Sequence, residues 1–169
     1  MTELSFKEAA EFLNEKLNST GVFLSAGSGE KANTMTISWG SMGIMWSKPI
    51  MIAPVRNTRH TFGLIKEGEC FTVSIPIGKE LDRQLAYCGS HSGRDVDKYS
   101  ETGLTAIKAS KVDSVIIQQC QVHLECKVRY QAELEEGKLP EDINEKIYHL
   151  KDYHTLFVGE IVRAYRTDI

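Results

Sequence analysis

The chain has 169 residues, of which 41% are hydrophobic, and this length is sufficient for one buried core. We therefore expect a single domain spanning residues 1–169. The net charge of −3 argues against nucleic-acid binding or a membrane-surface role, because both usually require a basic face. There is no signal-peptide pattern and no apolar run near the ~20 residues that span a bilayer, so we expect a soluble cytoplasmic protein without membrane or nucleic-acid partners.

The first predicted element is a helix. Ser5 and Glu8 have the spacing of a capping box, in which each side chain binds the backbone amide of the other residue. Apolar residues then recur at helical spacing, which predicts a helix from Phe6 to about Leu17 with one apolar stripe.

Four strands are predicted next. Their ranges are Val22–Ala26, Asn33–Trp39, Ile50–Val55 and Cys70–Ile75, and the first two should pair as a hairpin. In the second strand, hydroxyl side chains alternate with large apolar ones. This pattern predicts one dry face and one face that can bind a polar ligand, although such hydroxyls are often only solvent-facing strand residues.

The region around the third strand contains two glycines and two prolines. The segment Gly40–Trp46 is predicted to be a loop that packs on a flat or hydrophobic surface. Pro49 and Pro54 lack a backbone donor, so they should lie at strand starts, edges or bulges.

A helix from Thr58 to Glu67 would carry Arg59 and His60 in its first turn, where the helix dipole favours negative charge. A bound anion would remove this conflict by accepting hydrogen bonds from the helix amides, Thr61 and the two basic side chains. Phosphate is the natural candidate. The alternative is that Arg59 and His60 are surface groups of a loop that never becomes helical.

The second half of the chain is predicted to be mainly extended. A short helix at Lys79–Cys88 leads into a polar loop, Gly89–Tyr99, and the region Glu135–Tyr153 is charged and partly helical. Strands are predicted at Val112–Ile117, Cys120–Leu134 and His154–Tyr165. In the long middle strand, His123 and Glu125 fall on the solvent-facing side. Because no βαβ alternation is present, these elements favour an antiparallel barrel with peripheral helices over a doubly wound sheet.

The cysteines and histidines do not predict a metal site. The four cysteines lack the paired spacing of a zinc site and should be mostly buried thiols, with Cys88 the one candidate for redox activity because its neighbours are polar and basic. His149 and His154 lie in a polar segment without a carboxylate or cysteine at ligand spacing, so we expect no metal.

Four segments taken together resemble the flavin reductase family with the FMN-binding split-barrel fold. They are Asn33–Trp39, Arg56–Thr61, Ser90–Lys98 and Phe157–Val162. The resemblance extends from about Gly21 to Arg163. It implies a mainly β fold with peripheral helices, built as a six-stranded antiparallel split β-barrel of Greek-key type. It also implies a homodimer with FMN near the subunit interface.

The resemblance assigns cofactor-binding residues in three groups. Thr36 and Ser38, with the backbone of Trp39 and Gly40, would follow the ribityl chain and the polar edge of the isoalloxazine ring. A phosphate turn would consist of Arg56, Arg59, His60 and Thr61. A second loop, containing Ser90 and Lys98, would close over the cofactor. The segment from Met42 to Trp46 would be a lid or a dimer contact.

The function that the resemblance implies is that of an FMN flavoprotein oxidoreductase. NAD(P)H would be the transient reductant, since no Rossmann-type glycine motif is present, and flavin, another small molecule or a redox protein would be the acceptor. Because the cofactor carries the redox chemistry, no catalytic acid, base or nucleophile is expected. The alternatives are a flavoredoxin-like carrier without its own nicotinamide site, a non-catalytic split-barrel binding module, and a ligand-free structural domain.

Overall fold

The computed structural model describes residues 1–168 and is mainly β. The strands are β1 (Thr2–Glu3), β2 (Val22–Ala26), β3 (Asn33–Ile37), β4 (Ser41–Met45), β5 (Lys48–Arg56), β6 (Cys70–Ile75), β7 (Ala106–Lys108), β8 (Val115–Ile117), β9 (Val122–Glu133) and β10 (His154–Arg166). Within the described residues, eight of them form one antiparallel sheet, whose order is β3-β2-β6-β9-β10-β5-β4, with β1 paired to β10. A separate hairpin consists of β7 and β8.

Among the described residues, five α-helices lie around this sheet: α1 (Phe6–Leu17), α2 (His60–Gly68), α3 (Asp82–Ser90), α4 (Lys98–Thr102) and α5 (Glu141–Ile147). The capping box at the start of α1 is present, with Ser5 and Glu8 bonded reciprocally as the sequence predicted. Helix α1 buries Ala9 and Leu13 against the sheet. None of the helices within residues 1–168 has the length and apolar character needed to cross a membrane.

The main core fills the inside of the curved sheet. Fully buried Leu24, Phe71 and Leu124 come from adjacent strands β2, β6 and β9, and Phe157 of β10 packs beside them. Strand β3, at one end of the strand order, also contacts β5 near the other end. The sheet therefore curls around its core, and this curvature brings the ends of β3 and β5 together at the candidate site.

Strand β4 corrects the prediction of a loop at Gly40–Trp46. Ser41–Met45 pairs with β5 through a tight turn, in which Trp46 and Ser47 both have left-handed backbone conformations, with φ of 52° and 58°. Such a turn matches the twist of a hairpin but usually carries Asn or Gly at these positions. The sequence did not reveal the turn because neither residue type is present there.

The sheet has eight strands, whereas the family resemblance implied a barrel of six. The two additional strands are β4 and the two-residue β1. Pro54 occupies an edge position, as expected, because the pairing of β5 with β4 stops at Ile52 while the pairing with β10 continues.

The prediction that His123 and Glu125 face solvent is wrong, since both side chains are fully buried. The segment between β7 and β8, which contains Ser110, covers this face of β9. The carboxylate of Glu125 accepts hydrogen bonds from the backbone amide and the hydroxyl of Ser110 at 3.1 and 2.8 Å. His123 lies 3.1 Å from the hydroxyl of Ser74 on neighbouring β6. Period-two alternation separates the faces of a strand but does not show which face another segment will cover.

Candidate functional site

Two adjoining cavities form a groove where β3, β5, β10 and α2 meet. Their volumes are about 350 and 230 Å³, and Met35, Arg56 and Arg59 line both. The first cavity also includes Thr36, Ile37, Ser38, Trp39, Pro54 and His154, and the second includes Asn33, Thr58, His60, His91, Ser92, Gly93, Lys98 and Asp152, whose carboxylate is paired with Arg56. The groove thus has an aromatic end at the close of β3 and a basic end at the start of α2.

The basic end contains the uncapped N-terminus of α2. The helix begins at His60, two residues later than predicted, and Arg59 is its N-cap residue with extended backbone. The side chain of Arg59 makes no capping hydrogen bond, and no acidic residue lies in the first turn. Because the first amides of a helix lack intrahelical acceptors, this end of α2 can bind an anion.

Three cationic side chains, including that of Arg59, surround this helix end. Arg59 donates to the carbonyl of Gly89 at 3.1 Å, and Arg94 donates to the carbonyl of Thr58 at 2.9 Å. Lys98 is buried, and its Nζ donates to the carbonyls of Thr34 and Cys88 at 2.9 and 2.8 Å. Among the described residues no carboxylate forms an ion pair with Arg59, Arg94 or Lys98.

The titration of His60 and Lys98 reflects this concentration of positive charge. Desolvation, together with the charges of Arg94 and Lys98, lowers the pKa of His60. Burial lowers the pKa of Lys98 to about 8, and the charge of Arg59 acts in the same direction. An anion in the basic end of the groove would oppose both shifts.

Arg56 differs from the other predicted phosphate ligands because its guanidinium already has protein partners. It forms an ion pair with Asp152 and donates to the carbonyls of Asp152 and Ile147 at 3.0 and 3.2 Å. The guanidinium carbon also lies 5.3 Å from the centroid of the Tyr148 ring. Arg56 lines the groove, but its charge is directed to the segment that precedes β10.

The hydroxyl face of β3 is less open than the sequence predicted. Thr34 is fully buried, and the hydroxyl of Thr36 donates to the carbonyl of Leu85 at 2.6 Å, so helix α3 covers this face. Ser38 and Trp39 are exposed beyond the end of β3 and line the groove. Gly40 lies directly beside β5, where an added Cβ would come within 2.8 Å of Met51.

Thr61 and Ser90 are not among the residues that line the groove. Thr61 is buried, and its hydroxyl accepts a hydrogen bond from the side-chain amide Nδ2 of Asn33 at 2.8 Å. The hydroxyl of Ser90 donates to the carbonyl of Ala86 at 2.9 Å, within helix α3. The residues that follow Ser90, His91 to Gly93, form the groove wall instead.

His154 lines the groove, although its place in the sequence did not indicate a ligand-binding role. It lies directly opposite Arg56 in the pairing of β5 with β10, and its ring centroid is 5.1 Å from that of Trp39. Burial lowers the pKa of His154 to about 4, and nearby Arg56 and Arg59 act in the same direction. The imidazole is therefore neutral near pH 7. Arg94, within the predicted second loop, was also missed, and it lines a neighbouring cavity with His60 and Lys98.

The structure does not support redox activity at Cys88. The side chain is fully buried, and burial raises the pKa of its thiol to about 11. The thiolate needed for reaction is thus disfavoured near neutral pH. The polar neighbours seen in the sequence belong to the exposed part of α3, whereas Cys88 faces inward against Leu85 and Phe23.

Comparison with known proteins identifies the family. A family model described as a flavin reductase-like domain matches residues 15–168, and the chain belongs to this family. An uncharacterised protein of Archaeoglobus fulgidus is 32% identical over 139 residues, which are 82% of this chain and 68% of that protein.

Solved structures show the same split-barrel fold. A flavoredoxin from Methanosarcina acetivorans has a TM-score of 0.66 and 28% identity, over 88% of this chain and 69% of its own. An FMN-binding protein from Thermus thermophilus has a TM-score of 0.67 and 20% identity, over 86% and 69%. An NADH:FAD oxidoreductase of Streptomyces globisporus, in complex with NAD and FAD fragments, has a TM-score of 0.65 and 20% identity, over 87% and 74%.

Proposed function

We propose that this protein binds FMN in the groove and acts as an NAD(P)H-dependent flavoprotein oxidoreductase. The observation that carries the proposal is the division of one groove into a basic end, at the start of α2, and an aromatic end beside Trp39. Phosphate suits the basic end, because helix amides and unpaired cations both favour an anion. A planar ring suits the aromatic end, where Trp39 and Pro54 offer apolar surface.

Bound FMN would supply the hydride and electron transfer, and the chain would supply binding and orientation. Arg59, Arg94 and Lys98 would hold the negative charge of the phosphate, and His60 would contact it at the first turn of α2. Ser38 and the backbone of Trp39 would bind polar atoms of the flavin. We assign smaller roles to Thr36, Thr61 and Ser90, whose hydroxyls are already bonded within the protein.

An anaerobic titration tests this function. The purified protein should contain or take up one FMN per chain, and the flavin absorbance near 450 nm should bleach when NADH or NADPH is added without oxygen. Dithionite serves as a control, because it shows that the bound flavin can be reduced at all. FMN that stays oxidised with both nicotinamides but is bleached by dithionite would refute the NAD(P)H-dependent activity.

A flavoredoxin-like electron carrier is the second candidate. The M. acetivorans flavoredoxin supports it, since that likeness reaches 28% identity. Such a carrier would bind FMN but receive its electrons from another redox protein, so the same titration separates the two functions. A colourless protein that stays colourless after incubation with FMN would instead indicate a binding module for another ligand.

We also propose that the protein is a homodimer of single-domain subunits. Strand β4 lies at the edge of the sheet and has no charged residue or proline, and its hairpin exposes 61% of Ile44 and 55% of Trp46. An apolar edge of this kind is usually covered. Sedimentation should show a dimer that Ile44→Glu dissociates, whereas Ile107→Glu, at an exposed isoleucine of β7, should leave it intact. A monomeric wild type would contradict the proposal.

The cysteines bear on where the protein works. All four thiols are unpaired and buried. Unpaired thiols are typical of a reducing compartment, which supports a cytoplasmic location.

A further inference from the structure

Tyr148 and His154 form a buried pair, of which only His154 lines the groove. The hydroxyl of Tyr148 lies 2.8 Å from Nδ1 of His154, and the two residues are only 4% and 9% exposed. Tyr148 directly follows α5, in the segment that connects β9 to β10, whereas His154 is the first residue of β10 and lines the groove. A residue from outside the main sheet thus controls one nitrogen of a groove side chain.

The direction of this hydrogen bond follows from counting donors. A phenol has one proton, and the Tyr148 hydroxyl has no other hydrogen-bond partner in the described part of the chain. If Nδ1 donated to the phenol oxygen, the buried phenol proton would have no acceptor. Because a buried unpaired donor is costly, the phenol donates and Nδ1 accepts. A neutral imidazole that accepts at Nδ1 carries its proton on Nε2.

The surroundings of Tyr148 fix the position of its hydroxyl. The ring stacks on Tyr153, with centroids 4.7 Å apart and an angle of 25° between the planes. The guanidinium of Arg56 lies near the same ring, and it is itself held by Asp152. With these contacts the phenol cannot swing away from His154 without breaking packing on its neighbours.

The other imidazole nitrogen, Nε2, has no partner in the part of the protein that the structure describes. No hydrogen bond to Nε2 of His154 exists within residues 1–168, and this atom is not among the buried polar atoms that lack a partner. Nε2 is therefore accessible in the groove, close to the exposed ring of Trp39. The Nε2–H group of His154 can therefore donate a hydrogen bond to an acceptor atom on the edge of a planar ligand.

We propose that Tyr148 is a positioning residue, which holds His154 in the tautomer that presents Nε2–H to a carbonyl oxygen or ring nitrogen of the ligand in the groove. This role adds to the proposed function. It rests on that function in one respect, namely that the ligand in the groove is a flavin. Tyr148 itself does not line the groove and acts through His154.

The first test needs no ligand. Nitrogen-15 NMR of the imidazole in the wild type should show a protonated Nε2 and an unprotonated Nδ1 for His154. Tyr148→Phe removes only the phenol oxygen, and the spectrum should then show a mixture of both tautomers. Tyr153→Phe is the matched control, because it removes the other hydroxyl of the same aromatic stack. That hydroxyl donates to Asn144 and not to His154. The control should keep the wild-type tautomer. An Nδ1–H signal in the wild type, or no change in Tyr148→Phe, would overturn the positioning role.

The second test measures ligand binding. Tyr148→Phe should weaken FMN binding by roughly 2- to 10-fold, the effect of a single hydrogen bond, whereas Tyr153→Phe should change it by less than about 2-fold. In a His154→Ala background, Tyr148→Phe should have no additional effect, because the role passes entirely through His154. Equal losses in both backgrounds would indicate a merely structural role and would overturn the proposal.

The two tests separate this inference from the proposed function. If the protein binds no FMN, the proposed function fails, while the NMR comparison still decides whether Tyr148 sets the tautomer. If FMN binds and the tautomer changes in Tyr148→Phe without loss of affinity, the contact between Nε2–H and the flavin is refuted.

Discussion

Arg56 and Asp152 form an ion pair that ties the end of β5 to the segment preceding β10. Arg56 is also the cross-strand partner of His154, and its guanidinium lies over the Tyr148 ring. The ion pair therefore joins the groove wall to the segment that carries Tyr148. This arrangement assigns Arg56 a structural task, although its place in the sequence suggested a phosphate ligand.

Loss of Arg56 should therefore destabilise the fold. Arg56→Ala leaves the Asp152 carboxylate and the Ile147 carbonyl without their donor, so we expect the free energy of unfolding to fall by about 2 kcal/mol. Denaturation in urea measures this change. Lys31→Ala, which removes an exposed ion pair with Glu67, should cost no more than about 1 kcal/mol. A loss of FMN affinity in Arg56→Ala, with riboflavin affinity and stability unchanged, would instead make Arg56 a phosphate ligand.

Arg59 is the better candidate for a direct phosphate contact. Arg59→Ala should cost on the order of 1.5 to 3 kcal/mol of FMN affinity, since a charge-assisted hydrogen bond is lost. Riboflavin, which lacks the phosphate, should bind the wild type with lower affinity than FMN does. Its affinity should be the same for Arg59→Ala as for the wild type. Isothermal titration calorimetry measures both ligands. Lys66→Ala removes a cation from the other end of α2 and should leave the FMN affinity unchanged. Equal wild-type affinities for FMN and riboflavin would rule out a phosphate site here.

The buried histidines make stability depend on pH. The pKa values of His123 and His154 are both lowered to about 4, mainly by burial, while an unfolded histidine titrates near 6.5. Between these values the unfolded chain binds more protons, so stability is complete above pH 6.5 and falls as the pH drops toward 4. His123 contributes on the order of 3 kcal/mol to this loss, and His154, whose Nε2 faces the solvent of the groove, contributes less.

Urea unfolding at pH 7 and pH 4.5 measures the effect. Replacing His154 with Gln should reduce the difference in stability between the two pH values, whereas His149→Gln, at an exposed histidine, should not. A wild type that is equally stable at both pH values would contradict the burial of neutral imidazoles.

Gly159 should not tolerate a side chain. An added Cβ would lie 2.7 Å from the ring of Phe71 and 2.9 Å from Cβ of Cys126, at a bulge between β9 and β10. We expect Gly159→Ala to lower the free energy of unfolding by about 1 to 3 kcal/mol through overpacking. Gly137→Ala is the control, because no atom would lie within 4 Å of its Cβ. Calorimetric melting temperatures compare the two, and a Gly159→Ala melting point equal to that of the wild type would show that Phe71 can move aside.

Cys88 should be unreactive in the folded protein. Its buried thiol has a raised pKa, so a thiol reagent such as dithionitrobenzoate should modify it only after unfolding. The folded protein should release almost no chromophore, and the protein in urea should release four equivalents. Rapid modification of one thiol in the folded state, mapped to Cys88 by mass spectrometry, would restore it as a redox candidate.

Local signals in the sequence predicted the elements well. The capping box at Ser5, the hairpin of β2 with β3 and the strand Cys70–Ile75 all depend on residues close in the chain, and the structure has them as expected. The mainly β split-barrel fold was predicted from the order of such elements together with the family resemblance, and the comparisons confirm it.

Features that depend on distant residues could not be predicted in the same way. The burial of Glu125 requires Ser110 to fold over β9, and the partners of Arg56 lie more than ninety residues later in the chain. His154 entered the groove only because β10 pairs with β5 in a particular register. Side-chain periodicity defines the two faces of each strand, but it carries no information about which strands are neighbours.

The position of β10 in the sheet has a consequence for how the chain folds. Within residues 1–168, this last strand is the only hydrogen-bonded link between the β4–β5 hairpin and the other strands. The β4–β5 hairpin can therefore join the rest of the sheet only when β10 is in place between β5 and β9. Because this step closes a very long loop, we expect folding to be slow for a protein of this size, with β10 insertion as the rate-limiting event.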